Sequence, residues 1–203
     1  MKLKNPHADV YVPYESNDAE AIAKTTHLEE RAHHDDIDFM AMHGILECFR
    51  QADRWFGGVT VTDGRGSTRS GPYEKFSDEQ MRKIRVSEQR KAALVGDYAC
   101  QIQLGFPSAV VQDASNEEVV VYLKAIFEGA MPEVVYLHNP ADKHDTHVAC
   151  CLRSIEALRS LPEDKRPAHV YGCEIWRGLD WMLDSDKKIL KLYDRENVAD
   201  ALC

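Results

Sequence analysis

Two short clusters hold the residue types of a hydrolytic metal site. The first, His33-His34-Asp35-Asp36, puts an imidazole and a carboxylate three positions apart at His33 and Asp36. That spacing lets both point to one side of a turn and share one ion. Asp35 is then left on the open side of that ion, placed to take a proton from its water. The second cluster, Lys143-His144-Asp145-Thr146-His147, repeats the spacing with His144 and His147 at the start of a helix. One histidine from it completes a three-ligand site with a position left for water, the pattern of a catalytic rather than a structural zinc. Taken singly, neither cluster is specific, because adjacent aspartates at a helix start are favoured by capping and by the helix dipole alone. Their joint occurrence carries the weight.

The elements around them say how they meet. Met1 to Ser16, with Pro6 and Pro13, reads as an extended lead-in, and Asn17 or Asp18 caps a short helix through Lys24. A strand candidate ends near Ala32, and Ile37 to Arg50 carries apolar residues at spacings of three and four, a helix with one buried face. Val59 to Thr62 is a strand, 63–72 a polar loop, and a long helix runs from Ser77 or Asp78 to about Tyr98. Ile102 to Phe106 and Val110-Val111 are strand candidates, Glu117 to Ala130 a helix, Val134 to Leu137 a buried strand, His144 to Leu161 a helix and Ala168 to Tyr171 a strand. This alternation predicts an α/β fold, a Rossmann-like three-layer α/β/α arrangement with a mostly parallel sheet, spanning residues 1–203 as one domain. Both histidine clusters then follow strands, and ligands of such sheets bind outside the carboxyl ends of the strands.

Composition limits the function class. The chain has 203 residues with 44% hydrophobic and 29% charged, an ordinary globular composition. Its 34 acidic against 25 basic residues give a formal charge of -9, which disfavours nucleic acid as a partner. The apolar runs are far short of the roughly 20 residues that span a bilayer, so no membrane partner is expected. The first residues lack an apolar h-region, which makes the cytoplasm the expected compartment. The six cysteines are scattered without a C-x-x-C pair and read as mostly buried, reduced thiols, with at most one of Cys150-Cys151 facing the core.

With these residues in place, the sequence resembles the LmbE-like or PIG-L-type deacetylases, zinc hydrolases that remove the acetyl group from N-acetylglucosamine conjugates. Their signature Ala-His-Pro-Asp-Asp is matched by Ala32-His33-His34-Asp35-Asp36, their Thr-Asp-Gly loop by Thr62-Asp63-Gly64, their Arg-x-x-Glu helix by Arg85-Val86-Ser87-Glu88 with Ala92 and Gly96, and their His-x-x-His by His144 to His147. The matches run in order from about Thr26 to Leu161. The resemblance implies His33, Asp36 and His147 as zinc ligands and Asp35 as general base. It implies that His144, protonated, stabilises the oxyanion or protonates the leaving amine. The substrate is expected to be an N-acetylated sugar conjugate.

Around that core, Arg85, Asp63 and His138 are candidate substrate contacts. For Arg85 an ion pair with Glu88 is an equal alternative, for Asp63 simple turn chemistry, and for His138 a structural role. Asp142 is placed to orient His144 or His147 through the other ring nitrogen. Trp176 and Trp181 could stack on a sugar or pack on the sheet, and His43 reads as an ordinary helix histidine. Two imidazoles and one carboxylate accept Fe2+ or Mn2+ as well as Zn2+. The chain departs from the signature at His34, at Ile37 and at Glu29-Glu30-Arg31. Three charges in a central parallel strand conflict with burial on both faces. Either that strand is short, or the side chains form an internal network or a subunit contact. The short chain leads to the expectation of a pocket that is open, unusually small, or finished by a neighbouring copy in a homo-oligomer.

Overall fold

The structure is a computed structural model and describes residues 3–14, 16–34, 36–192 and 195–202, without the side chains of 37 and 38. Six strands form one sheet: β1 (Asp9–Tyr11), β2 (His27–Arg31), β3 (Phe56–Thr62), β4 (Cys100–Phe106), β5 (Val134–His138) and β6 (His169–Cys173), in the order β1-β4-β3-β2-β5-β6. All neighbours are parallel except the edge pair β1/β4. The expected mostly parallel α/β sheet is therefore present, with one addition. The lead-in contributes an antiparallel edge strand of three residues, too short to show periodicity in the sequence.

Helices cover both faces. On one side α1 (Asp18–Ala23), α5 (Ser108–Gln112), α6 (Glu118–Ala130) and α7 (Asp145–Arg159) enclose a core that includes Leu28, Val59, Ile102, Leu123, Ile126 and Val135. On the other side α3 (Met42–Cys48) and α4 (Asp78–Val95) pack on Phe56, Tyr98 and Tyr136, with α8 (Glu196–Leu202) against α4. Each such side chain taken out of water contributes about 1.5–3 kcal/mol, which holds the layers together. Among the described residues no helix is long and apolar enough to cross a membrane.

Local chemistry sets the boundaries. Asn17 accepts from the Glu20 amide at the start of α1, and Ser77 and Gln80 form a capping box at the start of α4. Three expectations need correction. Val110-Val111 lies in α5, because Pro107 ends β4 and serves as the helix N-cap. The helix expected from Ile37 to Arg50 is two pieces, α2 (Asp36–Met40) and α3, broken at Ala41. Cys150 and Cys151 are both buried, since α7 is covered by the sheet on one side and by α5 and α6 on another.

The sheet's carboxyl end is shaped by a bulge. Thr60 pairs with Gln103 and Thr62 with Phe106, so β4 carries an extra residue there, and Gly105 takes φ +69. A Cβ at Gly105 would lie 2.6 Å from the His7 carbonyl oxygen. The bulge brings Phe106 against Asp63, whose amide donates to the Phe106 carbonyl at 3.0 Å, and so closes the start of the 63–72 loop over the site.

Candidate metal centre

The first histidine cluster forms the turn that leaves β2, and its neighbours on both sides fix it. The Ala32 amide donates to His138 Nε2 of β5 at 2.9 Å, and the Thr62 hydroxyl of β3 donates to the Ala32 carbonyl at 2.7 Å. Asp36 folds back on its own turn, Oδ2 accepting from the His33 amide at 2.8 Å. The second cluster opens α7 beyond the end of β5. His144 is the N-cap, its Nδ1 accepting from the Thr146 amide at 3.2 Å. That bond places the proton of the neutral ring on Nε2. One helical turn on, His147 is buried beneath it.

The two clusters converge. His33 Nδ1 lies 3.1 Å from His147 Nε2 and 3.5 Å from Asp36 Oδ2, and His147 Nε2 lies 3.6 Å from Asp36 Oδ2. Two ligands of a tetrahedral ion bound at about 2.1 Å are separated by about 3.4 Å, so the three atoms form a face that fits one divalent ion. The donor set of two imidazoles and one carboxylate fits as well. His144 and His138 lie close enough to belong to overlapping groups, His33/His144/His147 and Asp36/His138/His147, in which all ligand atoms fall within 4.8 Å of one another. His138 Nε2 is occupied by the Ala32 amide, however, and His144 Nδ1 by the Thr146 amide.

Electrostatics suits cation binding. Burial pushes the His147 imidazole down to about 4, aided by His138, so the ring is neutral and its Nε2 lone pair is available. Burial would raise Asp36, but the His138 and His33 side chains beside it, and then His147, outweigh it and hold the carboxylate ionised far below its usual range. Burial and then His33 lower His144 as well, and in its neutral ring the bond from the Thr146 amide leaves the proton on Nε2.

Asp142 organises the α7 side. Its Oδ2 faces His147 Nδ1 at 3.1 Å, while Oδ1 accepts from the His144 amide at 2.8 Å and from Trp176 Nε1 at 3.0 Å. These bonds overcome the effect of burial and keep the carboxylate below its ordinary range. Trp176 also stacks on His147, with ring centroids 5.6 Å apart and planes at 13°. The sequence offered Trp176 as packing on the sheet or as a sugar platform; its bond to Asp142 depends on a contact 34 residues away that no local pattern announces.

The site opens into a cavity of about 970 Å³, floored by His33, Asp36, His144 and His147 and walled by the 63–72 loop, α4 and Trp176. Asp63 and Arg85 both line it. Asp63 is held by the Arg65 amide and guanidinium, which is turn chemistry, and Arg85 by Ser67 at 3.0 Å and Glu88 at 2.8 Å. His138 sits elsewhere: it is fully buried under His147, the rings stacked at 3.9 Å, and is absent from the cavity wall. As the end of a strand covered on both faces, it has no path to a substrate. His43 bonds the Tyr136 hydroxyl at 3.0 Å, away from the site. Asp35, the expected base, lies outside the described residues.

The family model for PIG-L, described as GlcNAc-PI de-N-acetylase, matches residues 31–158, which carry both clusters. The chain belongs to the PIG-L family. Solved structures share its fold at low identity. N,N'-diacetylchitobiose deacetylase from Pyrococcus horikoshii has a TM-score of 0.65 at 18% identity, over 89% of this PIG-L chain and 68% of that one. A conserved protein from Thermus thermophilus has a TM-score of 0.57 at 18% identity, over 73% and 66%. The 4-carboxy-2-hydroxymuconate hydratase from Pseudomonas putida has a TM-score of 0.55 at 18% identity, over 70% and 60%. The PIG-L chain thus spans about two thirds of the length of these structures. No curated protein sequence matches it. A hydratase among the fold relatives means that the reaction must be argued from the site and not from the fold.

Proposed function

We propose that this PIG-L chain is a metal-dependent N-deacetylase that hydrolyses the acetamide of an N-acetylated sugar conjugate, releasing acetate and a free amine. The observation that carries the reading is the convergence of His33 Nδ1, Asp36 Oδ2 and His147 Nε2 on edges of 3.1, 3.5 and 3.6 Å at the floor of a cavity. A divalent ion held there, Zn2+ in this reading with Fe2+ or Mn2+ as alternatives, supplies Lewis acidity to an amide carbonyl and brings the pKa of bound water toward about 7.

The chain's own groups do the rest. Asp142 holds His147 with Nε2 toward the ion. Asp35, adjacent to Asp36, is the base that removes the proton of the attacking water. The neutral Nε2–H of His144 donates to the carbonyl oxygen as negative charge develops on it, where a fixed donor is worth more than water. The polar wall of Ser67, Thr68, Ser70, Arg85 and Asp63 offers partners for sugar hydroxyls, with the Trp176 ring at the rim. Among the described residues five cysteines are free, four of them buried, which supports a reducing compartment such as the cytoplasm.

The test is metal content followed by product. Stripped protein titrated with Zn2+ is expected to take up one ion per chain, His147→Ala to take up none at the same concentrations, and the loaded protein to release acetate from some member of a panel of N-acetylglucosamine conjugates. Protein that binds no divalent ion, or that loads fully and releases no acetate from any conjugate, defeats the proposal.

A further inference from the structure

Two of the chain's departures from the signature, the Glu29-Glu30-Arg31 triplet and His34, are joined by a single side chain. Arg31 is fully buried on the central strand. Its Nη1 donates to Glu29 Oε2 at 3.0 Å, and its Nη2 donates to Thr60 Oγ1 at 2.8 Å and to Gln89 Oε1 of α4. Gln89, itself 3% exposed, donates from Nε2 to the His34 carbonyl oxygen. The orientation of that amide is forced: a guanidinium only donates and must meet Oε1, while a carbonyl only accepts and must meet the NH2 group.

The His34 carbonyl lies on the backbone between His33 and Asp36. A histidine leaves φ free where a proline would fix it, so something else must hold the turn. The His34 ring is pinned as well. Its Nε2 lies 3.1 Å from Gln103 Oε1, and Gly64, at φ +70, presses so close that a Cβ there would lie 2.8 Å from the ring. Ring and carbonyl are therefore both anchored, the carbonyl by Gln89.

We propose that Gln89, oriented by Arg31, is a positioning residue for the metal-ligand turn: its bond to the His34 carbonyl sets the separation and direction of His33 and Asp36. The inference rests on the metal-site reading above. The buried charges of β2 thereby acquire a purpose, since Arg31 is the donor that faces Gln89 the right way.

Gln89→Met removes the amide at nearly constant volume. On protein shown to be folded at 25 °C by circular dichroism, chelator competition is expected to give Zn2+ binding weaker by about 10-fold or more. The visible absorption of the Co2+-loaded protein is expected to change in band position or intensity. A merely structural role would lower Tm and move neither readout. Arg31→Lys keeps a cation beside Glu29 but releases Gln89 Oε1; it is expected to change both readouts in the same direction by a smaller factor, and it decides the matter if Gln89→Met does not fold. Variant affinities within twofold of the parent, with an unchanged Co2+ spectrum, overturn the proposal while leaving the metal site intact. A parent protein that binds neither ion overturns the site reading and this proposal together.

Discussion

On the α4 side of β2, Glu29 has the Arg31 guanidinium at 3.0 Å, and Arg31 continues to Thr60 and Gln89. On the α7 side, burial raises the adjacent Glu30, and His138, Ser154 and Cys150 offset this only in part. Both glutamates are fully buried. The period of two along a strand sends neighbours to opposite faces, so identical residues meet opposite solutions: Glu29 is paired with a cation, and burial drives Glu30 toward its neutral acid. The difference shows that a run of charges in a central strand need not break it. One charge can be paired, and the next can be discharged.

The largest test of that contrast is Arg31→Met. Removing the cation beside Glu29 strands a buried carboxylate and is expected to destabilise the fold by about 3–5 kcal/mol, read as a fall in Tm of roughly 10 °C. The double variant Glu29→Met/Arg31→Met is expected to regain most of that stability, because an apolar pair often replaces a buried ion pair without loss. Its metal affinity should stay low, since Gln89 remains unoriented. A single variant that melts within about 1 °C of the parent would erase the distinction between the faces.

The α7 face reaches the metal turn by another route, through Asp142 and His147, and Asp142→Asn tests it. The amide keeps an acceptor for the His144 amide and Trp176 but presents an NH2 group to His147 Nδ1, which favours the wrong tautomer. Metal affinity is expected to fall about 10- to 100-fold with little change in the Tm of the metal-free protein. A fall in both together would make Asp142 part of the fold's frame, like Arg31, and not a means of orienting a ligand.

Much of the fold and the candidate site was legible in advance, for reasons that particular residues make plain. Val134 to Leu137 and Val59 to Thr62 announce buried strands by composition, and Ser77 announces a helix start, because those signals are local. His33, Asp36 and His147 stand out because their chemistry is rare and their spacing regular. What the sequence left open was non-local. Trp176 meets Asp142, and Gln89 meets His34, only through tertiary packing, and a glutamine in the middle of a helix carries no signal of its own. His138 reads as a pocket residue or as a structural strand-end residue from its place beside the second cluster, and the structure has it at the end of β5, buried under His147. The triplet at 29–31 allowed a short strand, a subunit contact or an internal network; the network is what the structure contains, with β2 at full length through Arg31.

The smallest expected effect is the most diagnostic for Glu30. Burial raises its pKa above the ordinary 4.5, and the nearby His138, Ser154 and Cys150 offset this only in part. Between the unfolded and the folded values the native chain keeps a proton that the unfolded chain gives up. Stability from this group is therefore full below about pH 4.5 and is lost as pH rises through the folded value. Glu30→Gln keeps the shape of the neutral acid and removes the titration. It is expected to raise Tm by a few degrees at pH 8, the equivalent of about 1 kcal/mol, and to leave it nearly unchanged at pH 4. Glu29→Gln should do the reverse at neutral pH, lowering Tm because Arg31 loses its anion. Were Glu30→Gln to lower Tm equally at both pH values, the carboxyl group would be holding its neighbours by bonds an amide cannot replace, and the two faces of β2 would differ in partner but not in charge.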